Sequence, residues 1–164
     1  MTDRAVIVWR CEHSTKKSVY CQHKAIKMSD KITVTTIINA DLKRVWDCYT
    51  NPVHITKWNF ADSSWHCPRA ENDLKVGGKY KARMEAKDGS LGFDFEAVYS
   101  EIIEGKEFTY EFGGRTANVR FDSLGDQTEV TVTFDPENEN PAEMQKVGWQ
   151  SILDNFKKYV ESTD

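Results

Sequence analysis

The sequence predicts an α+β fold: a curved antiparallel β-sheet wrapped around a long C-terminal helix, with two short helices after the first strand. Three observations carry this expectation. Between Lys79 and Phe134, apolar residues recur at every second position in runs broken by glycine turns, the pattern of hairpin-linked strands with one dry face. From Asn140 to Val160 the spacing changes to that of a helix, and about 20 helical residues span roughly 30 Å, enough to cross a whole sheet. No other element is large enough to cover that dry face.

Taken in order, Lys31-Ile-Thr-Val-Thr-Thr-Ile-Ile38 is rich in β-branched residues and reads as a strand. Asn39 is the expected cap of a short helix whose apolar face is Leu42, Val45, Trp46 and Tyr49. Pro52 stops it at Asn51, and a second short helix or turn runs from Val53 to Trp58. Glu71 to Asp73 form a polar stretch. Beyond it Tyr80, Ala82, Met84 and Ala86 alternate with charged neighbours, and Lys87-Asp-Gly-Ser90 is a turn in which Gly89 accepts positive φ. Leu91, Phe93, Phe95, Ala97 and Tyr99 share the next inward face. The tandem Ile102-Ile103 breaks the parity, so a bulge or strand end is expected there. Phe108, Tyr110 and Phe112, then Ala117, Val119 and Phe121, then Val130, Val132 and Phe134 form further stripes, separated by turns at Gly105, Gly113-Gly114 and Gly125. About five or six antiparallel strands result. In the last helix Asn140 is the expected cap and Pro141 fits the first position. Met144, Val147, Gly148, Ile152, Phe156 and Tyr159 make its apolar stripe, joined by Trp149, Leu153 and Val160. A sheet bent around such a helix tends to leave space beneath it.

The chain has 164 residues, 39% apolar and 12% aromatic, which supplies one core and excludes a disordered tail. Lys plus Arg number 22 against 26 Asp plus Glu, a formal charge of −4, which argues against a nucleic-acid surface. No run approaches the roughly 18 apolar residues of a membrane span, and Ala5 to Trp9 is too short for a signal-peptide core, so a cytoplasmic setting is expected. The four cysteines, Cys11, Cys21, Cys48 and Cys67, are irregularly spaced and read as reduced thiols. Charge divides the chain near residue 30: six basic residues face three acidic ones before it, and sixteen face twenty-three after it. Residues 1–30 therefore read as a basic, loosely ordered extension and 31–164 as the domain. Cys11, His13, Cys21 and His23 are the right residue types for zinc but lack finger spacing and a hydrophobic framework, so no metal is expected.

Catalytic chemistry finds little support. His66 and Cys67 are adjacent, so in a strand they point to opposite faces. Gly77-Gly78 lacks the remainder of a phosphate loop. Glu85, Asp94, Glu96 and Glu111 fall on the polar phase of their strands. Arg120 points outward by parity with Phe121, whereas Arg115 shares the parity of Ala117 but adjoins a turn. No catalytic residue and no cofactor are assigned. The informative feature is the inward stripe. Met84, Phe93, Phe95, Tyr110, Phe112, Phe121 and Phe134 lie on the dry phase, and Trp58, Trp149 and Leu153 approach from the helices. These are the candidate cavity-lining residues, because aromatics and Met line adaptable apolar pockets, with Tyr110 and Trp149 as polar handles. The competing arrangement is a filled core. A void above roughly 300 Å³ favours a ligand site.

The segment Ile32 to Ala40 followed by Val45-Trp46, then Trp58, Val76-Gly-Gly-Lys-Tyr80, Met84, Asp88-Gly89, Gly125-Asp-Gln-Thr128 and Gly148-Trp-Gln-Ser-Ile-Leu153, together resemble the heat-shock-protein-90 ATPase activator homologue family. That family sits in the helix-grip (START-like, SRPBCC) superfamily with the START lipid-transfer domains and pollen allergens. The resemblance covers about residues 31–162. It departs at the turn near Gly105, where the family usually has Pro, and at Tyr110, where it often has Trp. It implies a cavity between sheet and helix. The function expected is non-catalytic binding of a small hydrophobic or amphipathic molecule. The alternatives are a chaperone-associated protein-binding domain and an enzyme of the superfamily, a cyclase or hydrolase. The expected partner is a small apolar or amphipathic molecule, with a chaperone as the alternative and no nucleic acid.

Overall fold

Alternation in strand β1 (Ile32–Ile38) buries Ile32, Val34 and Ile38 and leaves Thr33 and Thr35 outside. The structure is a computed structural model that describes residues 30–163. After β1 come helices α1 (Leu42–Thr50) and α2 (Pro52–Trp58), then strands β2 (Trp65–Asn72), β3 (Lys79–Ala86), β4 (Gly92–Ile103), β5 (Glu107–Phe112), β6 (Arg115–Ser123) and β7 (Thr128–Phe134), and finally helix α3 (Ala142–Ser162). The strands form one curled antiparallel sheet in the order β1-β7-β6-β5-β4-β3-β2. The first strand thus closes onto the last, with Ile32 opposite Phe134. The helix-grip arrangement expected from the sequence is present. All of the expected extension except its last residue, including Cys11, His13, Cys21 and His23, lies outside the described residues.

Several local expectations are corrected. Strand β2 was not foreseen, because Trp65 to Asn72 shows no apolar alternation and contains Pro68. The ladder tolerates that proline because β2 is an edge strand and its register shifts between His66 and Arg69, around Pro68. Asp41, not Asn39, caps α1, accepting a hydrogen bond from the Arg44 N–H at 3.0 Å. Asn39 instead donates its own N–H to Glu161 Oε1 at 2.9 Å, tying the end of β1 to the end of α3. Asn140 does not cap α3; its side-chain amide donates to Glu137 Oε1 at 2.7 Å. The break expected at Ile102-Ile103 is present, since β4 ends at Ile103 and its register shifts just before, between Tyr99 and Glu101. Leu91 lies outside the strand and is exposed. Met144 and Val147 are 61% and 64% exposed, so the apolar stripe of α3 meets the sheet only from Trp149 onward.

Asn51 explains how two helices fit so tightly after β1. Its N–H donates to the Asp47 carbonyl at 2.9 Å, closing α1, and its side chain accepts from the Val53 N–H at 3.1 Å, opening α2. The helices then meet on aromatic rings. Tyr49, Trp58 and Phe156 come from α1, α2 and α3, with centroid separations of 4.8 to 4.9 Å. The Trp58 indole N–H donates to the Cys48 carbonyl at 3.0 Å, so the ring buries without an orphaned donor. His54 Nδ1 and the Tyr159 hydroxyl lie 2.6 Å apart and fasten α2 to α3. This cluster fills the grip toward the C-terminal half of α3. Toward Trp149 the filling is incomplete.

Candidate functional site

Between the inner face of the sheet and the first half of α3 lies a cavity of about 250 Å³. Strand alternation supplies its floor. Tyr80 and Met84 enter from β3, Phe93 and Phe95 from β4, and Phe108, Tyr110 and Phe112 from β5. Helix periodicity supplies the roof, Trp149, Ile152 and Leu153, because residues three and four apart share a face. Trp58 and Tyr49 close the deep end from the short helices.

Among the residues singled out from the sequence, Trp58, Met84, Phe93, Phe95, Tyr110, Phe112, Trp149 and Leu153 line this space. Phe93 stands at its rim, 49% exposed. Phe121 and Phe134 do not line it. Both point inward as their parity requires, but each is covered by another ring. Phe134 stacks behind Trp149 at 4.1 Å and 15°. Phe121 lies under Trp46 and Tyr49 at 5.1 and 5.4 Å. Tyr49, Asn59, Tyr80, Phe108, Arg115, Val132 and Ile152 also line the cavity. Most of these shared an inward phase visible in the sequence. Asn59 follows the end of α2 and carried no such signal.

Rings dominate the walls. Phe95 packs against Tyr80, Tyr110 and Phe112 at 5.9, 6.0 and 5.2 Å, and Tyr80 stacks on Tyr110 at 6.1 Å. The polar content is sparse: three phenol hydroxyls, the Asn59 amide and the Arg115 guanidinium. The Tyr80 hydroxyl accepts a hydrogen bond from the buried Asn59 amide at 3.0 Å, which leaves its own proton available. Among the described residues the Tyr49 and Tyr110 hydroxyls have no hydrogen-bond partner, and both residues border the cavity. Burial holds all three phenols well above their ordinary pKa, so each stays a neutral O–H donor.

Arg115 completes the lining. Its guanidinium carbon sits 4.6 Å from the centre of the Phe112 ring, an arrangement that favours the cation. Its Nη1 donates to the Asp135 carbonyl at 3.3 Å. The Asp135 carboxylate is directed elsewhere. It pairs with Lys31 at 2.9 Å and accepts from the Thr116 N–H and hydroxyl at 2.9 and 2.8 Å, contacts that hold its pKa down at about 2.

Among the described residues that line the cavity there is no carboxylate, histidine or thiol. His66 pairs with Glu85 at 3.2 Å, away from the inner face. Cys67 points inward and is buried, with its thiol pushed up to about 11, so the two do not form a nucleophile and base. Asp94 and Glu96 pair with Arg69, Arg83 and Lys81 on the outer face. Arg120 lies outward, bound to Asp122 at 2.8 Å. The arrangement can surround an apolar body and donate hydrogen bonds to polar atoms attached to it. It presents no acid–base pair.

Comparison with known proteins agrees with this fold. Residues 39–161 match the family model described as Activator of Hsp90 ATPase homolog 1-like protein. The solution structure of the AHSA1-like protein from Aeromonas hydrophila is 37% identical, with a TM-score of 0.74 over 80% of this chain and 93% of that one. A solution structure from Cytophaga hutchinsonii is 45% identical, with a TM-score of 0.70 over 80% and 92% of the two chains. A crystal structure from Chromobacterium violaceum shares the fold at 22% identity, with a TM-score of 0.71 over 82% and 99%. No curated protein matches the chain. With three-quarters of its length matched by the family model and its sheet and helices superposing on such relatives, the chain belongs to the Activator of Hsp90 ATPase homolog 1-like family.

Proposed function

We propose that this protein binds a small apolar or amphipathic molecule, without transforming it, in the cavity between the sheet and α3. One observation carries the reading. The grip is walled by rings, yet the hydroxyls of Tyr49 and Tyr110 belong to cavity-lining residues and have no partner among the described residues. No side-chain polar atom among the described residues is both buried and unpartnered, so these two hydroxyls keep accessible surface and are open to an acceptor on a ligand. The volume of about 250 Å³ lies just under the roughly 300 Å³ lower end for drug-sized ligands. It suits a molecule of one or two rings and excludes full enclosure of a long lipid chain. Ligand-detected NMR against a set of small aromatic and amphipathic compounds tests this, with Leu153→Trp as the filled-cavity control. Binding that the control abolishes supports the reading. Binding that the control retains contradicts it, as does the absence of any binding.

A second reading is a chaperone-associated role, suggested by the family's description and by the exposed Met144 and Val147 on the same helix. Its test is the rate of chaperone ATP hydrolysis at saturating protein; no change removes it. The proposed setting is the cytoplasm, which the free thiols of Cys48 and Cys67 support. No helix among the described residues is long and apolar enough to cross a membrane. Residues 1–30 are proposed to be an extension to the domain, in keeping with a family match that begins at residue 39.

A further inference from the structure

Resting on the cavity reading above, we propose that the ligand is an anionic amphiphile, whose carboxylate pairs with Arg115 and whose planar ring lies against Phe112 and Tyr110 from the cavity side. The Gly113-Gly114 turn, with φ of 54° and 74°, reverses the chain so that Arg115 stands opposite Phe112. This places a permanent cation in the lining of an otherwise aromatic space. A guanidinium carries five N–H donors in a planar fork. Among the described residues Arg115 makes one hydrogen bond, from Nη1 to the Asp135 carbonyl, and no ion pair. Its neighbouring carboxylates are occupied. Asp135 is held by Lys31 and Thr116. The Glu137 carboxylate accepts from the Asn140 side chain at 2.7 Å and from the Glu139 N–H at 2.5 Å. Those hydrogen bonds hold it below the usual range, with the charge of Arg115 a smaller contribution.

The cavity is therefore positive inside a chain whose formal charge is −4. A general excess of surface cations does not account for it. Planar, bidentate pairing selects a carboxylate. The Phe112 and Tyr110 rings meet edge to face, 5.8 Å apart at 63°, so they form one continuous aromatic surface on which a single ring can lie. Beyond that ring the Tyr110 hydroxyl offers a donor to a second polar substituent.

The probes are 2-naphthoate and 2-naphthamide, alike in shape and different in charge, titrated by calorimetry into the native protein, Arg115→Gln and Arg115→Lys. The native protein is expected to favour the carboxylate by about tenfold or more. Arg115→Gln should bind the two probes alike, and Arg115→Lys should keep part of the preference. If the native protein binds both probes equally, or Arg115→Gln keeps the preference, the anion assignment falls and the cavity reading stands. If the native protein binds neither, both fall. Should the Gln variant fail to fold, the native preference must still shrink from low to high salt; a preference unmoved by salt overturns the proposal.

Discussion

The indole of Trp149 lies nearly parallel to the Phe134 ring, 4.1 Å away. This contact joins the first half of α3 to β7, whose Phe134 faces Ile32 of β1 across the ladder. It also fixes one wall of the cavity, because Trp149 borders the open space that Phe134 does not reach. The rings on the dry side of the sheet therefore divide into two sets. Phe121 and Phe134 are covered, by Trp46 and Tyr49 and by Trp149 respectively, and Phe95, Phe108, Tyr110 and Phe112 border the cavity.

Phe134 is fully buried, and truncating it removes the support of Trp149. Phe134→Ala is expected to cost about 3–5 kcal/mol in chemical denaturation. In whatever folded protein remains, the Trp149 indole N–H resonance should move toward its free position. A loss under about 1 kcal/mol would mean that the stack contributes little to holding α3.

Asp135 ties Lys31, before β1, to Thr116 of β6. Its pKa is lowered to about 2 by the Lys31 side chain first and the Thr116 N–H next. A carboxylate held below its unfolded value stabilises the fold fully above about pH 4, and that contribution is lost as pH falls toward 2. Asp135→Asn should therefore be less stable than native at pH 7, with the difference closing by about pH 2. Denaturant midpoints across this range check it. A constant difference would assign the loss to packing.

Two glycines should respond in opposite directions. A Cβ on Gly78 would lie 2.0 Å from the Asp73 carbonyl oxygen, in the bend that hydrogen-bonds to Tyr99 of β4. Gly78→Ala should destabilise by about 1–3 kcal/mol or more. Gly148 lies inside α3, and a Cβ there meets nothing within 4 Å. Gly148→Ala should stabilise by about 0.5–1 kcal/mol through helix propensity. Thermal unfolding of the two variants decides both signs.

Alternation made most of the sheet legible from sequence, since a strand buried on one face writes its inside and outside into every second residue. Tyr80 to Phe134 follow that rule closely enough to give the inward phase of five lining side chains, Met84, Phe93, Phe95, Tyr110 and Phe112. The rule fails where burial is not two-sided. Edge strand β2 turns only Cys67 and Ala70 toward the core, and its alternation is interrupted by the register shift around Pro68. Caps depend on local backbone direction, so Asp41 displaced Asn39 and no side chain caps α3. The division between Phe134, which is covered, and Phe112, which borders the cavity, depends on where Trp149 lands. Parity along one strand does not contain that. Arg115 had the inward parity, but its proximity to the Gly113-Gly114 turn hid its direction.

The most direct measurement is the set of intermolecular NOEs between bound 2-naphthoate and the side-chain methyl groups. The account predicts NOEs to the Met84, Ile152 and Leu153 methyls and none to the outward Ile37 and Val98 methyls. Contacts confined to exposed groups such as Val53 or Met144 would contradict it, and would place the molecule on the surface with the grip closed.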